Sequence, residues 1–256
     1  MQIKQCITYS LLIIVAAITE AQAATQATPA AVQPTQTTNQ PAPALVLIGQ
    51  VVWVKGAIIA SNADDNSLRH LKRGSPVYQH DKIETSSSSS GQIVFTDNSM
   101  VALRSDTVFQ VDSYKYTPGK KVSEEKYGAS LLKGGFQTIT GVISKDNPQN
   151  YQVVTPVATI GVRGTKYSLY YGSQGLSVKL DRGIITVVNP AGSLELNPAQ
   201  NRAFATVNSI AQAPQVQAKP AAVFQSQPPV VEGYTIAPGT QRTGGTSETS
   251  NICVVR

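Results

Sequence analysis

Residues 91–116, GQIVFTDNSMVALRSDTVFQVDSYKY, hold three short apolar runs separated by clusters of Thr, Asp, Asn and Ser. Ile93 and Phe95 alternate with smaller or polar neighbours, Met100–Leu103 form a second run, and Val108 and Val111 a third. A period of two places successive side chains on opposite faces of a strand, whereas a helix needs apolar residues three and four apart. The breaks are turns: in Thr96–Asp97–Asn98–Ser99, Asp and Asn accept backbone bonds or adopt positive φ. The same texture recurs along the chain. GQVVWVKGAIIAS (49–61) has two Val/Ile runs around Gly56, ADDNS (63–67) is a turn cluster, and LSVKLDRGIITVVNPAGSLELN (176–197) gives three more strands. Short strands with a turn signal about every eight to twelve residues predict an all-β fold, sandwich- or solenoid-like. KVSEEKYGASLLKGG (121–135) has room for a turn or two of helix, and Gly128, Gly134 and Gly135 argue against more.

Four regions separate by composition. Lys4, the apolar stretch Ile7–Ile18 and Ala21-Gln22-Ala23 predict a secretory signal peptide over residues 1–23. Residues 24–44 are Ala, Thr, Gln and Pro without apolar periodicity, the composition of a disordered linker. Residues 45–207 hold the patterned sequence and are read as one all-β domain. Residues 208–256 return to low complexity and are read as a mostly disordered tail, with VVEGYTI (230–236) as one short strand. Cys6 lies in the signal and Cys253 in the tail, so no internal disulfide is predicted for the mature chain and packing alone must hold the fold. No later stretch approaches the ~20 apolar residues of a membrane span. The mature protein is therefore expected in the periplasm or secreted, with no transmembrane segment.

The composition also limits the chemistry. The chain is 41% hydrophobic and only 14% charged, enough for a core but with a surface of uncharged polar residues. Its +6 net charge is scattered, without the Lys/Arg runs and interleaved aromatics of a nucleic-acid binder, so no nucleic-acid partner is predicted. His70 and His80 lack the companions of a zinc site. Asp64-Asp65-Asn66 lacks the ligand spacing of a calcium loop. Asp64-Asp65 and Glu124-Glu125 are adjacent pairs that point apart in a strand, poor acid–base partners. No nucleophile elbow or phosphate loop occurs. No catalytic residue, cofactor or metal is predicted, and the chain is read as a non-enzyme. Tyr167 and Tyr171 share one strand face while Tyr170 takes the other. Aromatic faces stack on sugars, which makes Tyr167 and Tyr171 a candidate glycan or small-ligand site, the alternative to protein binding.

LKRGSPVYQHDKIETSSSSSGQIVFTDNSMVALRSDTVFQV (71–111), GGFQTITGVI (134–143), TPVATIGVRGT (155–165) and GIITVVNPAGSLELNPAQNRAFAT (183–206) resemble, in this order, the iron-dicitrate-sensor FecR domain over roughly residues 49–207. The signature residues are Thr155, Pro156, Gly161, Arg163, Gly164 and Thr165. The chain departs from the family at Asp97-Asn98-Ser99, where an Asp-Gly-Ser turn is usual, and Asn98 is expected to take the same positive φ. The resemblance implies an all-β domain outside the cytoplasmic membrane that binds an envelope or secreted protein or relays a signal. With a signal peptide in place of a cytoplasmic segment, only that exported module is expected to carry over.

Within the signature, Pro156 lacks an N–H and suits the start or edge of a strand. Val157–Ile160 then run extended, with Ala158 and Ile160 on one face. Gly161 and Gly164 permit a bulge or bend. For Arg163 the favoured reading is an internal one, its donors satisfied by carbonyls or by Asp97 or Asp181. The other reading sends it to a partner's anionic group.

Overall fold

The computed structural model describes residues 45–119, 123–226 and 230–234. The chain divides into two compact units, 1–40 and 41–256, and every described residue belongs to the second. The signal peptide, the 24–44 linker and Cys253 lie outside the described residues.

Fifteen strands form one continuous open sheet. In chain order they are β1 (Leu47–Lys55), β2 (Ile58–Asn62), β3 (Leu68–His70), β4 (Pro76–Tyr78), β5 (Asp81–Thr85), β6 (Ser90–Phe95), β7 (Met100–Leu103), β8 (Val108–Lys115), β9 (Lys126–Ile139), β10 (Tyr151–Val154), β11 (Thr159–Gly172), β12 (Gly175–Asn189), β13 (Gly192–Leu196), β14 (Phe204–Val207) and β15 (Gln215–Gln217). One short α-helix, α1 (Val142–Asp146), interrupts them among the described residues. The all-β expectation therefore holds. The described part of 121–135 departs from the helical allowance: from Lys126 it is strand, because Tyr127, Ala129 and Leu131 alternate inward and the backbone is taken up by β8 and β10.

Three long strands organise the rest. The first half of β9 pairs with β8 and β10, its second half with β7 and β11. The first half of β11 pairs with β10 and the second with β9, while β12 accompanies β11 throughout. β12 adds β14 beside its first half and β13 beside its second. The sheet thus has two halves, β3-β2-β5-β8-β9-β10-β11-β12-β13 and β4-β1-β6-β7-β9-β11-β12-β14-β15, joined through these three strands. The crossing points of β11 and β12 coincide at Gly164 (φ +59°) and Gly183 (φ +97°). A Cβ on Gly183 would lie 2.6 Å from both the Gly164 carbonyl oxygen and Thr165 Cγ2, so only glycine permits this approach at that φ.

One apolar core joins residues of both halves. Phe95 of β6 packs on Tyr114 and Tyr127 from the other half, with ring centroids 5.8 and 5.6 Å apart. Phe109 of β8 meets Phe136 of β9 edge-on at 5.5 Å. Tyr127 and Tyr151 stack at 4.4 Å with planes 4° apart. Burial pushes the hydroxyls of Tyr114, Tyr127, Tyr151 and Tyr167 well above the ordinary tyrosine value, so these phenols stay neutral.

The segment after 207 is partly built into the sheet. β15 pairs with β14 at its edge, and residues 222–226 form a 3-10 turn. The expected strand over 230–236 is not formed by its described residues, 230–234, because the N–H groups of Val230 and Val231 bond to glutamine side chains instead of a neighbouring strand. No helix among the described residues is long and apolar enough to cross a membrane.

Candidate functional site

The signature TPVATIGVRGT begins in a tight turn rather than a strand. Val154 pairs with Thr159 across it. Buried Thr155 closes the turn: its N–H donates to the Ala158 carbonyl at 2.9 Å, and its Oγ1 donates to the same oxygen at 2.8 Å and accepts from Ala158 N–H at 3.1 Å. Pro156 sits exposed within it, where a missing N–H costs nothing. Val157 and Ala158 are both buried in the turn, so the strand starts two residues later than expected, at Thr159.

From there β11 alternates: Ile160 and Val162 point into the core, and Thr159, Gly161 and Arg163 point out. At Gly164–Thr165 the register with β12 shifts, the bend expected of Gly164, while Gly161 stays in regular register opposite Thr186. Thr165 is locked to Thr140 by three bonds: Thr165 N–H to Thr140 Oγ1 at 2.9 Å, Thr140 N–H to the Thr165 carbonyl at 3.0 Å, and Thr140 Oγ1 to that carbonyl at 3.2 Å. Next in the chain, Gly141 lies against the Asp97 turn, where an added Cβ would come within 2.2 Å of the Asp97 carbonyl oxygen. Val142 N–H donates to that carbonyl at 2.9 Å. Two distant parts of the family pattern, the Asp-Asn-Ser turn and the signature, therefore meet through Thr140 and Gly141.

Asn98 holds φ +63°, as the substitution for glycine requires. Asp97 is fully buried, and its Oδ1 accepts from Ser99 N–H (3.1 Å), Ser99 Oγ (2.6 Å) and Tyr114 Oη (3.2 Å). Burial raises its carboxyl above the ordinary value, opposed by the Ser99 bonds. With its oxygens inside this turn, Asp97 is not available to Arg163. Asp181 is engaged by Lys179 at 2.9 Å and by Gln137 at 3.4 Å. The internal reading of Arg163 is corrected accordingly. Its side chain is exposed and has no hydrogen bond or ion pair among the described residues.

The tyrosine expectation is half met. Tyr167 and Tyr171 do share a face, but it is the inner one: Tyr167 is 0% exposed and edge-on to Phe136 at 6.0 Å, and Tyr171 packs partly buried on the core. A ring enclosed on both sides offers no platform for a sugar, so Tyr167 is corrected to a packing residue. Tyr170 faces outward under the Arg104 guanidinium, 5.4 Å from its ring centroid. The other polar residues considered are committed to the fold: Asp64 pairs with His80 Nδ1 at 2.9 Å, Asp65 accepts Ser67 N–H at 2.9 Å, Glu124 pairs with Lys115, and Glu125 is buried against Asn147 at 3.3 Å.

What the signature presents outward is an open face of the sheet. Opposed residues share a side of the sheet, so the rows Val154–Thr159–Val188–Ser193 and Gln152–Gly161–Thr186–Glu195 run side by side across β10, β11, β12 and β13. No atom lies within 4 Å of where a Gly161 Cβ would be. Val154 and Val188 are 39% and 43% exposed. Arg163, opposite half-buried Ile184, stands at the border of this patch, without an ion pair among the described residues.

Comparison with known proteins places a label on part of this fold. A family model described as FecR protein matches residues 81–186, from the start of β5 into β12, a narrower span than the 49–207 of the sequence resemblance. No curated protein matches the chain. Two crystal structures, each of a proposed anti-sigma factor from Parabacteroides distasonis, align at 17% identity with a TM-score of 0.42 over 53% of this chain. The alignment spans 58% of the length of those solved chains.

Proposed function

We propose that the chain is an exported, non-enzymatic module that binds a protein of the cell envelope, with a role in envelope signalling, a reading supported by the match of residues 81–186 to the FecR family model. The partner docks on the open face of β10–β13. The observation that carries this reading is the surroundings of Gly161: open space above it, two half-exposed valines beside it, and Arg163 without a partner among the described residues. An outer face of mixed apolar and polar residues, with exposed Glu195 in one row and Arg163 at its border, suits a protein surface that supplies apolar side chains and a carboxylate for Arg163. The signal-like N-terminus supports export.

The test is affinity capture from envelope extracts with the wild-type chain, Gly161→Trp and Arg163→Glu, each checked by thermal melting. The wild type enriches a defined protein, and both variants lose it while melting as the wild type does. Equal capture by the variants removes the face from the proposal. Absence of any specific partner across several extraction conditions removes the binding module itself.

A further inference from the structure

The opposite outer face of the sheet carries a second site, unrelated to the signature. Gln92, Ala102, Gln137, Ser168 and Lys179 lie opposite one another across β6, β7, β9, β11 and β12. By alternation these positions point away from the core and belong to solvent, yet Gln92 is 2% exposed and Gln137 9%. What covers them is the chain's own C-terminal segment. Val231 N–H donates to Gln92 Oε1 at 2.9 Å, and Gln92 Nε2 donates back to the Val231 carbonyl at 2.7 Å. Val230 N–H donates to Gln137 Oε1 at 2.9 Å. The Gln137 amide is turned by its own N–H, which reaches Asp181 Oδ2 at 3.4 Å and leaves the carbonyl end for the segment. Val230 is 5% exposed, Val231 51% exposed, and Glu232 pairs with Lys166 at 3.1 Å.

This is the bonding pattern of peptide recognition. A side-chain amide that both accepts from and donates to one residue's main chain reads an extended backbone whatever its side chains. Specificity comes from the residues on either side: one apolar position is buried, the next faces solvent, and the third must be acidic to meet Lys166. The segment is joined to this face by these side chains and not by strand pairing. A second extended peptide can reproduce every one of those bonds.

We propose that Gln92, Gln137 and Lys166 form a peptide-binding site whose resident ligand is the chain's own Val230-Val231-Glu232. A partner protein bearing an extended segment of the form small apolar residue, any residue, Asp or Glu binds there by displacing it. The C-terminal segment is then a built-in competitor, and the partner's apparent affinity is lowered by the fraction of molecules in which the segment is seated.

The test uses the full-length chain and a fluorescent peptide of residues 221–234, followed by anisotropy. Val230→Pro with Val231→Pro removes both N–H groups from the resident segment and leaves the glutamines intact. The peptide binds this double variant at least tenfold more tightly than it binds the wild type. Adding Gln92→Ala and Gln137→Ala returns binding to the wild-type level. Single changes in the same background order the contacts. Gln137→Leu loses the acceptor for the Val230 N–H and weakens binding severalfold, Gln92→Glu loses the donor to the Val231 carbonyl and weakens it severalfold, and a peptide carrying Glu232→Lys is weakened likewise. No gain in the proline variant, or a gain that survives loss of both glutamines or shows no Gln92→Glu effect, overturns the proposal.

Discussion

The two outer faces of this sheet use the same alternation and end differently. Across β10–β13 the outward rows are Val154, Thr159, Val188 and Ser193 beside Gln152, Gly161, Thr186 and Glu195, with open space above Gly161. Across β6, β7, β9 and β11 they are Gln92, Ala102, Gln137 and Ser168, and a segment of the chain closes over them. The difference is whether a segment of the chain crosses the row. Long amides can satisfy a crossing backbone, and a buried backbone group must be satisfied. Gln152 and Glu195 on the open face have the same reach, but neither side chain bonds a crossing segment among the described residues. A covered face therefore contributes to stability, whereas the open one is the proposed docking surface, and substitutions separate the two.

The largest loss is expected beneath both faces. Tyr167→Ala empties a fully buried aromatic site, with an expected cost of about 3–5 kcal/mol. Its melting temperature should drop by roughly 6–20 °C. A small drop would mean that the two halves do not share one core. Gly183→Ala strains the crossing between the faces, and we expect a loss of about 2–3 kcal/mol in denaturant titration. Retained stability there would show that the bend is not needed.

Gln137→Ala addresses the comparison itself. It leaves the buried Val230 N–H without its acceptor, worth about 1–3 kcal/mol. A value near zero by denaturant titration would make the covered face equivalent to the open one. Acidity supplies another measure. The carboxyl of Asp97 is raised in the fold, so the native state holds its proton more tightly than the unfolded chain. Ionisation at neutral pH then opposes folding, and stability gains as pH falls from the raised folded-state value toward the ordinary 3.8. Asp97→Asn should abolish this contribution, seen as a shrinking gap between the two melting-temperature profiles in that window on moving to higher pH. A gap that is constant with pH would contradict it. The smallest effect is expected on the open face: Arg163→Ala should change stability by less than about 0.5 kcal/mol while partner capture is lost. A drop of several degrees in its melting temperature would restore the internal reading of this arginine.

Much of the strand pattern was legible because alternation and turn chemistry are local. The runs in 91–116 became β6, β7 and β8, and Asn98 took the left-handed conformation its place in the turn demands. Of the signature glycines, Gly164 (φ +59°) marked the bend, since positive φ is a property of the backbone itself. The tyrosine pair shows the limit. That Tyr167 and Tyr171 share a face follows from a period of two. Which side that face takes depends on what lies across from it, and here that is Phe136 and the rest of the core. Nothing in the local sequence of Gln92 or Gln137 marks them as buried, because their cover comes from residues 139 and 93 positions away.

The sequence by itself thus determined an all-β chain, the positions of most of its strands and turns, the bend at Gly164, and the family pattern within it. The tertiary structure alone decided that Pro156 lies in a turn, that Arg163 is free of Asp97 and Asp181 and faces outward, and that one polar face is sealed by the C-terminal segment while the other stays open. Alternation assigns residues to two sides, and only long-range pairing decides which side meets water.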